Sequence, residues 1–239
     1  EGAKVEAVCE IMPYSSGLKR NIAQCLNDFD IPLYLNHTIT KIEGEKRVTG
    51  VVVSKVDQNK QPIPGTEMHF DCDTVLFSVG LIPENELTKN AGISIDRVTN
   101  GAEVDQNRQT SCEGIFACGN VLHVHDLVDY VSEEAEIAGK AASEYIKGGF
   151  CRTQSTEMTT DKNIRYTVPQ RITDAGDVKV YFRVGNVMKK VTLNVYADGK
   201  VICTKKMPKA APGEMISVPL KGDAIKGAEK LYFEMEETK

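Results

Sequence analysis

One segment constrains the fold of this chain more than any other: residues 109–122, QTSCEGIFACGNVL, with a long Ala-rich stretch close behind it. A short apolar strand is predicted over residues 115–118, and it runs into the dipeptide Gly119-Asn120. A helix is predicted over residues 127–146, where apolar and small residues repeat at spacings of three and four. A strand, a glycine turn and a helix in this order present backbone N–H groups to an anionic or polar ligand. The segment therefore predicts a cofactor-binding edge in an α/β sheet.

The sequence before this segment is typical of an α/β domain. Apolar and polar residues alternate over residues 4–10, which predicts a strand that ends at Glu10. A helix, a short strand and a three-stranded meander are predicted to follow. Residues 73–80 form a nearly all-apolar run, which is typical of a parallel strand buried on both faces. We therefore place a first domain at residues 1–80 and a second at residues 81–149.

The pattern changes after the predicted helix. Residues 150–162 are polar and irregular, which indicates a linker. Residues 163–239 contain six short alternating strands with no helical pattern between them. This spacing predicts a small all-β sandwich domain at the end of the chain.

Composition excludes several classes of protein. The net charge is −5 and no basic cluster is present, so binding to nucleic acid is not expected. No apolar run reaches the roughly 18 residues that a membrane span needs. Seven cysteines are scattered without a CxxC pair, so the sequence predicts neither a redox dithiol nor a structural metal site. A reducing, cytoplasmic location fits this cysteine usage best.

The 109–122 segment resembles the C-terminal FAD-contacting motif of the pyridine nucleotide–disulfide oxidoreductase family, whose usual form reads QTS-x-x-GIFA-x-GD. Residues 79–83, VGLIP, are similar to the family's GxxP crossover from the NAD domain back to the FAD domain. The resemblance covers residues 1–147 and is nearest to thioredoxin-reductase-like and NADH-oxidase-like flavoproteins. It implies a partial Rossmann-like FAD/NAD(P)-binding two-domain fold, since no GxG, and hence neither of the family's Gly-rich turns, occurs in the chain.

The resemblance implies a set of FAD contacts. Gly119 and Asn120 would bind FAD, with Asn120 standing where the family usually has Asp. The amide oxygen of Asn120 can still accept a hydrogen bond from a ribityl hydroxyl, or it can simply complete the turn. Backbone N–H groups at Asp129, Tyr130 and Val131 would face the flavin C2 carbonyl, the alternative being a plain helix start.

The resemblance also implies a nicotinamide dinucleotide contact at Glu10. A carboxylate at the end of such a strand pairs with the adenosine ribose 2′-hydroxyl, so NAD(H) is expected over NADP(H); a solvated Glu is the alternative. His123 and His125 would share one side of an extended segment beside Asp126, a possible two-ligand arrangement. No third or fourth ligand is identifiable, so no metal is predicted. No catalytic residue is assigned, although His125 is a candidate base.

The function that the resemblance implies is that of an FAD-dependent NAD(P)H oxidoreductase. It would pass a hydride from NADH to FAD and the electrons to an acceptor that the sequence does not identify. This chain alone is expected to bind FAD poorly and to be inactive, and its C-terminal β-domain is expected to dock a partner subunit or a dimer mate. Two other interpretations stay open: a flavin subunit of an amino-acid or amine dehydrogenase complex, and a non-enzymatic binding or scaffold module.

Overall fold

The structure is a computed structural model that describes residues 2–15, 19–149, 154–174 and 176–237. The chain divides into two compact units, Glu1–Gly80 and Leu81–Lys239. Both units combine helices with strands, so the mixed α/β class predicted from the sequence is confirmed.

The first unit contains a parallel strand pair and an antiparallel meander. Strand β1 (Val8–Glu10) pairs in parallel with β2 (Leu33–Leu35). The antiparallel sheet contains β3 (His37–Glu43), β4 (Gly50–Lys55) and β5 (Met68–Asp71). Its strand order is β3-β4-β5, and valines of the central strand β4 are buried.

The helix predicted between β1 and β2 is short and irregular. One turn, α1 (Lys19–Asn21), continues into a π-helical turn, Ile22–Leu26, and a 3-10 turn, Asn27–Phe29. Neither of these two later turns buries a side chain. A helix that covers no core gains little beyond its own propensity, which explains the departure from a regular α-helix.

The apolar run at residues 73–80 is not the buried parallel strand predicted from its sequence. It has no hydrogen-bonded neighbour strand among the described residues, and Leu76 keeps 88% of its surface exposed. A continuous apolar run indicates only that a segment can be buried, whereas burial also needs a neighbouring strand and a covering layer. The described part of the unit does not place either beside this run.

The second unit begins with α2 (Glu86–Asn90) and reaches the motif segment through turns. The strand predicted at residues 115–118 is reduced to an isolated bridge between Phe116 and Gln109. The long helix is present as α3 (Val128–Gly148), and Gly149, with a φ of +79°, ends it. Within the described ranges, no helix is both long enough and apolar enough to span a membrane.

The rest of this unit is a β-rich module, which we call the C-terminal module (residues 154–237). The elements of its described residues are β6 (Thr156–Thr160), β7 (Ile164–Val168), β8 (Arg171–Ile172), β9 (Val178–Val184), β10 (Met188–Ala197), β11 (Lys200–Ala210), β12 (Ile216–Leu220), the short helix α4 (Gly222–Ile225) and β13 (Lys230–Glu237). One sheet has the strand order β11-β10-β13-β6-β8, and the other has the order β12-β9-β7.

A hydrophobic core joins the two sheets of the C-terminal module. Val180 and Phe182 of β9 meet Leu193 of β10 and Phe233 of β13 in it. Strand β6 lies inside the range 150–162 that the sequence indicated as a linker, and residues 150–153 lie outside the described residues. The β-sandwich stays a prediction.

Candidate cofactor-binding site

The Gly119-Asn120 turn has the backbone conformation that makes glycine necessary. Gly119 is buried with a φ of +75°, which L residues rarely adopt, and a Cβ there would lie 3.4 Å from the side chain of Val131. Asn120 is exposed, and its Oδ1 accepts a hydrogen bond of 3.1 Å from the backbone N–H of His125. In this structure the Asn120 side chain therefore bonds within the turn, while its predicted contact with FAD stays a prediction.

The start of α3 lies next to this turn and carries no side-chain cap. The N-cap residue, Leu127, is extended and makes no side-chain hydrogen bond to the helix. Val128 and Asp129 are exposed, while the N–H of Tyr130 donates back to the Leu127 carbonyl at 3.2 Å. A helix start without a cap leaves backbone donors for another acceptor, which water or a ligand can supply.

Glu134 of α3 is the centre of a buried hydrogen-bond network. Its carboxylate is 0% exposed and accepts four hydrogen bonds. Oε1 accepts from Arg108 Nε at 2.9 Å and from His123 Nε2 at 3.1 Å. Oε2 accepts from the backbone N–H of Gly119 at 2.8 Å and from His125 Nε2 at 3.0 Å. One side chain thus connects the helix, the glycine turn and the loop between them.

Arg108 supplies the positive charge of this network. Its side chain is buried, and its Cζ lies 5.9 Å from the centre of the Tyr181 ring. Its Nη1 and Nη2 have no hydrogen-bond partner among the described residues. The charge of Arg108 is therefore balanced mainly by Glu134 and by the electron-rich face of Tyr181.

The network keeps Glu134 ionised. Burial raises the pKa of this carboxyl, but the hydrogen bonds from His123 and His125 and the charge of Arg108 outweigh burial and lower the pKa well below its usual range. Burial lowers the pKa of His123 in turn. Burial and the nearby charge of Glu134 raise the pKa of the Cys118 thiol, which disfavours a reactive thiolate beside the turn.

His123, His125 and Glu134 also form a group of metal-ligand type, with ligand atoms within 4.8 Å of one another. Glu134 is therefore a third candidate ligand, which the sequence did not reveal. Two observations favour the hydrogen-bond network over a metal. The guanidinium of Arg108 already pairs with the same carboxylate. In addition, Nδ1 of each histidine has no hydrogen-bond partner among the described residues, although a metal-bound histidine almost always donates from its second nitrogen.

Comparison with known proteins identifies the family. A model of the pyridine nucleotide-disulphide oxidoreductase family matches residues 3–143, which is more than half of the chain. The chain belongs to this family. NADH oxidase from Streptococcus pneumoniae serotype 4 is 28% identical over 138 residues, and thioredoxin reductase from Treponema pallidum is 30% identical over 119 residues. These matches cover 57% and 48% of this chain, but only 27% and 35% of the two relatives.

A solved structure is also similar to part of the chain. Thioredoxin reductase from T. acidophilum is 28% identical, with a TM-score of 0.49, over 59% of this chain and 44% of that protein. The chain thus spans less than half the length of these oxidoreductases. The family membership predicted from the QTS…GIFA segment is confirmed.

The structure brings part of the predicted oxidoreductase site together. Gly119 lies against Val131 of α3, so the turn and the helix start are neighbours. Glu10 ends β1 in the first unit, is partly buried, and accepts a hydrogen bond of 3.0 Å from the Met12 backbone N–H. The cofactor contacts remain predictions for all six residues: Gly119, Asn120, Asp129, Tyr130, Val131 and Glu10.

Sequence reasoning missed Arg108 and Glu134. Glu134 follows Val131 by three residues and precedes Ala138 by four, so it lies on the small-residue face of the helix, among the positions that pack inward. A charged residue on such a face indicates a buried partner. The partner itself, 26 residues earlier in the chain, gives no local signal.

We expect His123 to make the protein less stable as the pH falls. Because burial lowers its pKa, the unfolded chain binds a proton that the folded chain does not. The free energy of unfolding should therefore fall below about pH 6.5, with a slope of at most about 1.4 kcal/mol per pH unit. Glu134, whose pKa is lowered, adds a further loss below about pH 4.3.

Urea unfolding at a series of pH values measures this dependence. His123→Gln keeps an N–H donor for Glu134 but cannot titrate, so its free energy of unfolding should lack the loss that begins near about pH 6.5. Identical pH profiles for the variant and the original chain would contradict the assignment to His123.

Proposed function

We propose that this chain forms part of an FAD-dependent NAD(P)H oxidoreductase, with residues 1–80 contributing to NAD(H) binding and residues 81–149 to FAD binding. The observation that carries the proposal is the Gly119 turn, held at a φ of +75° beside the uncapped start of α3 in a chain of this family. Bound FAD would supply the hydride chemistry, taking a hydride from NADH and passing electrons to an acceptor.

The residues at this edge fit a flavin. A side chain at position 119 would be strained by the positive φ and would contact Val131, so this turn needs glycine. The N–H groups at the start of α3 are suited to an electron-rich oxygen such as the flavin C2 carbonyl. The buried network around Glu134 fixes the turn and the helix before any ligand binds, which lowers the entropic cost of binding.

Glu10 is the residue proposed to select NAD(H). It lies at the carboxyl end of β1, beside the carboxyl end of the parallel strand β2, which is the edge where open α/β sheets bind ligands. Its carboxylate would accept hydrogen bonds from a ribose hydroxyl and repel a 2′-phosphate.

We expect Glu10→Ala to raise the KM for NADH by about 10- to 100-fold, since a hydrogen bond to a charged group contributes roughly 1.5–3 kcal/mol. The preference for NADH over NADPH should fall at the same time. Steady-state kinetics on the full-length protein that carries these residues measures both. Glu6→Ala, at an exposed position two residues before β1, is the control and should leave both values unchanged; an equal effect of the two variants would contradict the assignment.

The proposed function itself is tested by the visible absorption spectrum of the full-length protein, recorded before and after anaerobic addition of NADH. A flavin spectrum that bleaches with NADH supports the proposal. A flavin that ignores NADH would favour the flavin subunit of an amino-acid or amine dehydrogenase complex instead. A protein that binds no flavin would overturn the proposal, and the non-enzymatic binding or scaffold module would then be the remaining interpretation. The same spectrum on this chain alone tests the expectation that it binds FAD poorly.

A further inference from the structure

Strand β9 of the C-terminal module uses its two faces for different purposes. Its alternate residues Val178, Val180, Phe182 and Val184 are buried in the core of the module. The intervening residues Lys179, Tyr181 and Arg183 all contact residues 123–134 instead. Because successive side chains of a strand point to opposite faces, this alternation places one whole face of β9 against residues 123–134, the loop and helix start that follow the Gly-Asn turn.

Tyr181 is the central contact of this face. It is 0% exposed, and its hydroxyl donates a hydrogen bond of 2.7 Å to Glu133 of α3. Its ring packs edge-on against Tyr130 of the helix start and against His123 and His125 of the loop, at centroid distances of 5.9–6.2 Å. A single side chain of the module therefore touches both the helix start and the loop that follows the Gly-Asn turn.

Lys179 and Arg183 fix the two ends of the same surface. Lys179 Nζ donates to both carboxylate oxygens of Glu133, at 2.9 and 2.7 Å, and lies 5.5 Å from the centre of the Tyr130 ring. Arg183 Nη2 donates to the carbonyl of Val124 at 3.0 Å and to the carboxylate of Asp126. The loop and the helix are thus each held by a charged side chain of β9.

A second group of contacts ties the module to the residues before the motif. Arg171 Nη2 donates to the carbonyl of Thr110 at 2.8 Å. The backbone N–H of Thr173 donates to Gln106 Oε1 at 2.8 Å, and Gln170 Oε1 accepts from the N–H of Val104. These contacts hold residues 104–110, where the motif segment begins, while β9 holds residues 123–133, which follow the segment.

We propose that the C-terminal module positions the flavin-contacting segment of its own chain, with Lys179, Tyr181 and Arg183 of β9 as the positioning residues. The proposal rests on the proposed function of residues 119–131 as a flavin site. It gives the module a role inside the chain, distinct from the docking of a partner subunit or dimer mate predicted from its sequence. The three residues act on the turn and the helix start, through Glu133, Asp126 and the Tyr130 ring, rather than on the cofactor.

Tyr181→Phe is the test, and Tyr196→Phe is its matched control. Each removes one tyrosine hydroxyl that donates a 2.7 Å hydrogen bond to a glutamate, but Tyr196 donates to Glu234 within the C-terminal module. We expect Tyr181→Phe to speed hydrogen exchange of backbone amides in residues 123–131 by about tenfold, the effect of one lost charge-assisted bond. Tyr196→Phe should leave those amides unchanged.

Flavin binding provides the second readout, on the full-length protein. Tyr181→Phe should weaken FAD binding by a similar factor of about ten and shift the visible band of the bound flavin, because the C2 carbonyl loses its fixed donors. Lys179→Met should act in the same direction, and Lys179→Arg should restore the band. Should Tyr181→Phe fail to fold, the partly exposed Lys179 carries the same test.

The outcomes separate the positioning role of β9 from the proposed function. Equal exchange in the Tyr181 and Tyr196 variants would overturn the positioning role, whatever the flavin result. Faster hydrogen exchange in the Tyr181 variant with an unshifted flavin band would mean that the contacts of β9 are purely structural, and it would also overturn the positioning role. A protein that binds no FAD but exchanges faster only in the Tyr181 variant would overturn the proposed function while supporting the mechanical coupling.

Discussion

Glu134→Ala is expected to lower the free energy of unfolding by about 3–5 kcal/mol, the usual cost of removing one partner from a buried ion pair. The variant leaves the guanidinium of Arg108 in the interior without its counter-charge. It also removes the acceptor for the N–H of Gly119 and for the rings of His123 and His125. Chemical unfolding measures this loss. The midpoint denaturant concentration should fall, while the slope of the free energy of unfolding against denaturant concentration should stay the same.

Two further variants make this result specific. Glu136→Ala removes an exposed carboxylate of the same helix, paired at i,i+4 with Lys140, and should cost less than about 0.5 kcal/mol. Combining Arg108→Leu with Glu134→Leu should cost less than the two single changes together, since no buried charge is left unpaired. A loss below about 1 kcal/mol for Glu134→Ala would contradict the strong pairing of this buried carboxylate with Arg108.

Gly101→Ala is expected to have an effect of similar size for a steric reason. A Cβ at position 101 would lie 1.7 Å from the carbonyl oxygen of Leu122, and backbone cannot rotate away as a side chain can. Asn85 holds the same two segments together, because its Nδ2 donates to the carbonyls of Asn100 and Val121 at 2.8 Å each. The substitution would separate these segments and should cost about 3 kcal/mol or more.

Gly139→Ala is the matched control for this variant. Position 139 lies inside α3 with open space around it, so alanine there should stabilise the protein by about 1 kcal/mol through helix propensity. Thermal unfolding of the two variants gives the comparison. A Gly101→Ala protein that melts at the original temperature would mean that Leu122 moves aside at little cost, and that the close approach is not required.

Local patterns predicted the elements that depend on local causes. The helix at residues 127–146 follows from its three-and-four spacing and is present as α3. The motif predicted the family because its glycine, Gly119, is needed for a backbone conformation that the structure contains. The antiparallel meander in the first unit follows from alternation and turn residues, which act over a few positions.

Features that depend on distant partners were not predicted. The run at residues 73–80 is as apolar as a buried strand, but hydrophobicity does not specify the neighbour that would cover it. Glu134 is one of several glutamates in its helix, and its burial depends on partners outside the helix, among them Arg108, 26 residues earlier. The hydrogen bond from Tyr181 to Glu133 spans 48 positions, and no local pattern in the sequence connects the C-terminal module with the motif.

The alternation of β9 also determines how this strand must pair. A slip of one residue against β7 or β12 would move Lys179, Tyr181 and Arg183 into the hydrophobic core and would leave four apolar side chains facing the charged carboxylates of Glu133 and Asp126. A misaligned β9 would therefore be destabilised on both of its faces. Correct strand alignment within the last third of the chain thus becomes a condition for the geometry of the Gly-Asn turn some 60 residues earlier.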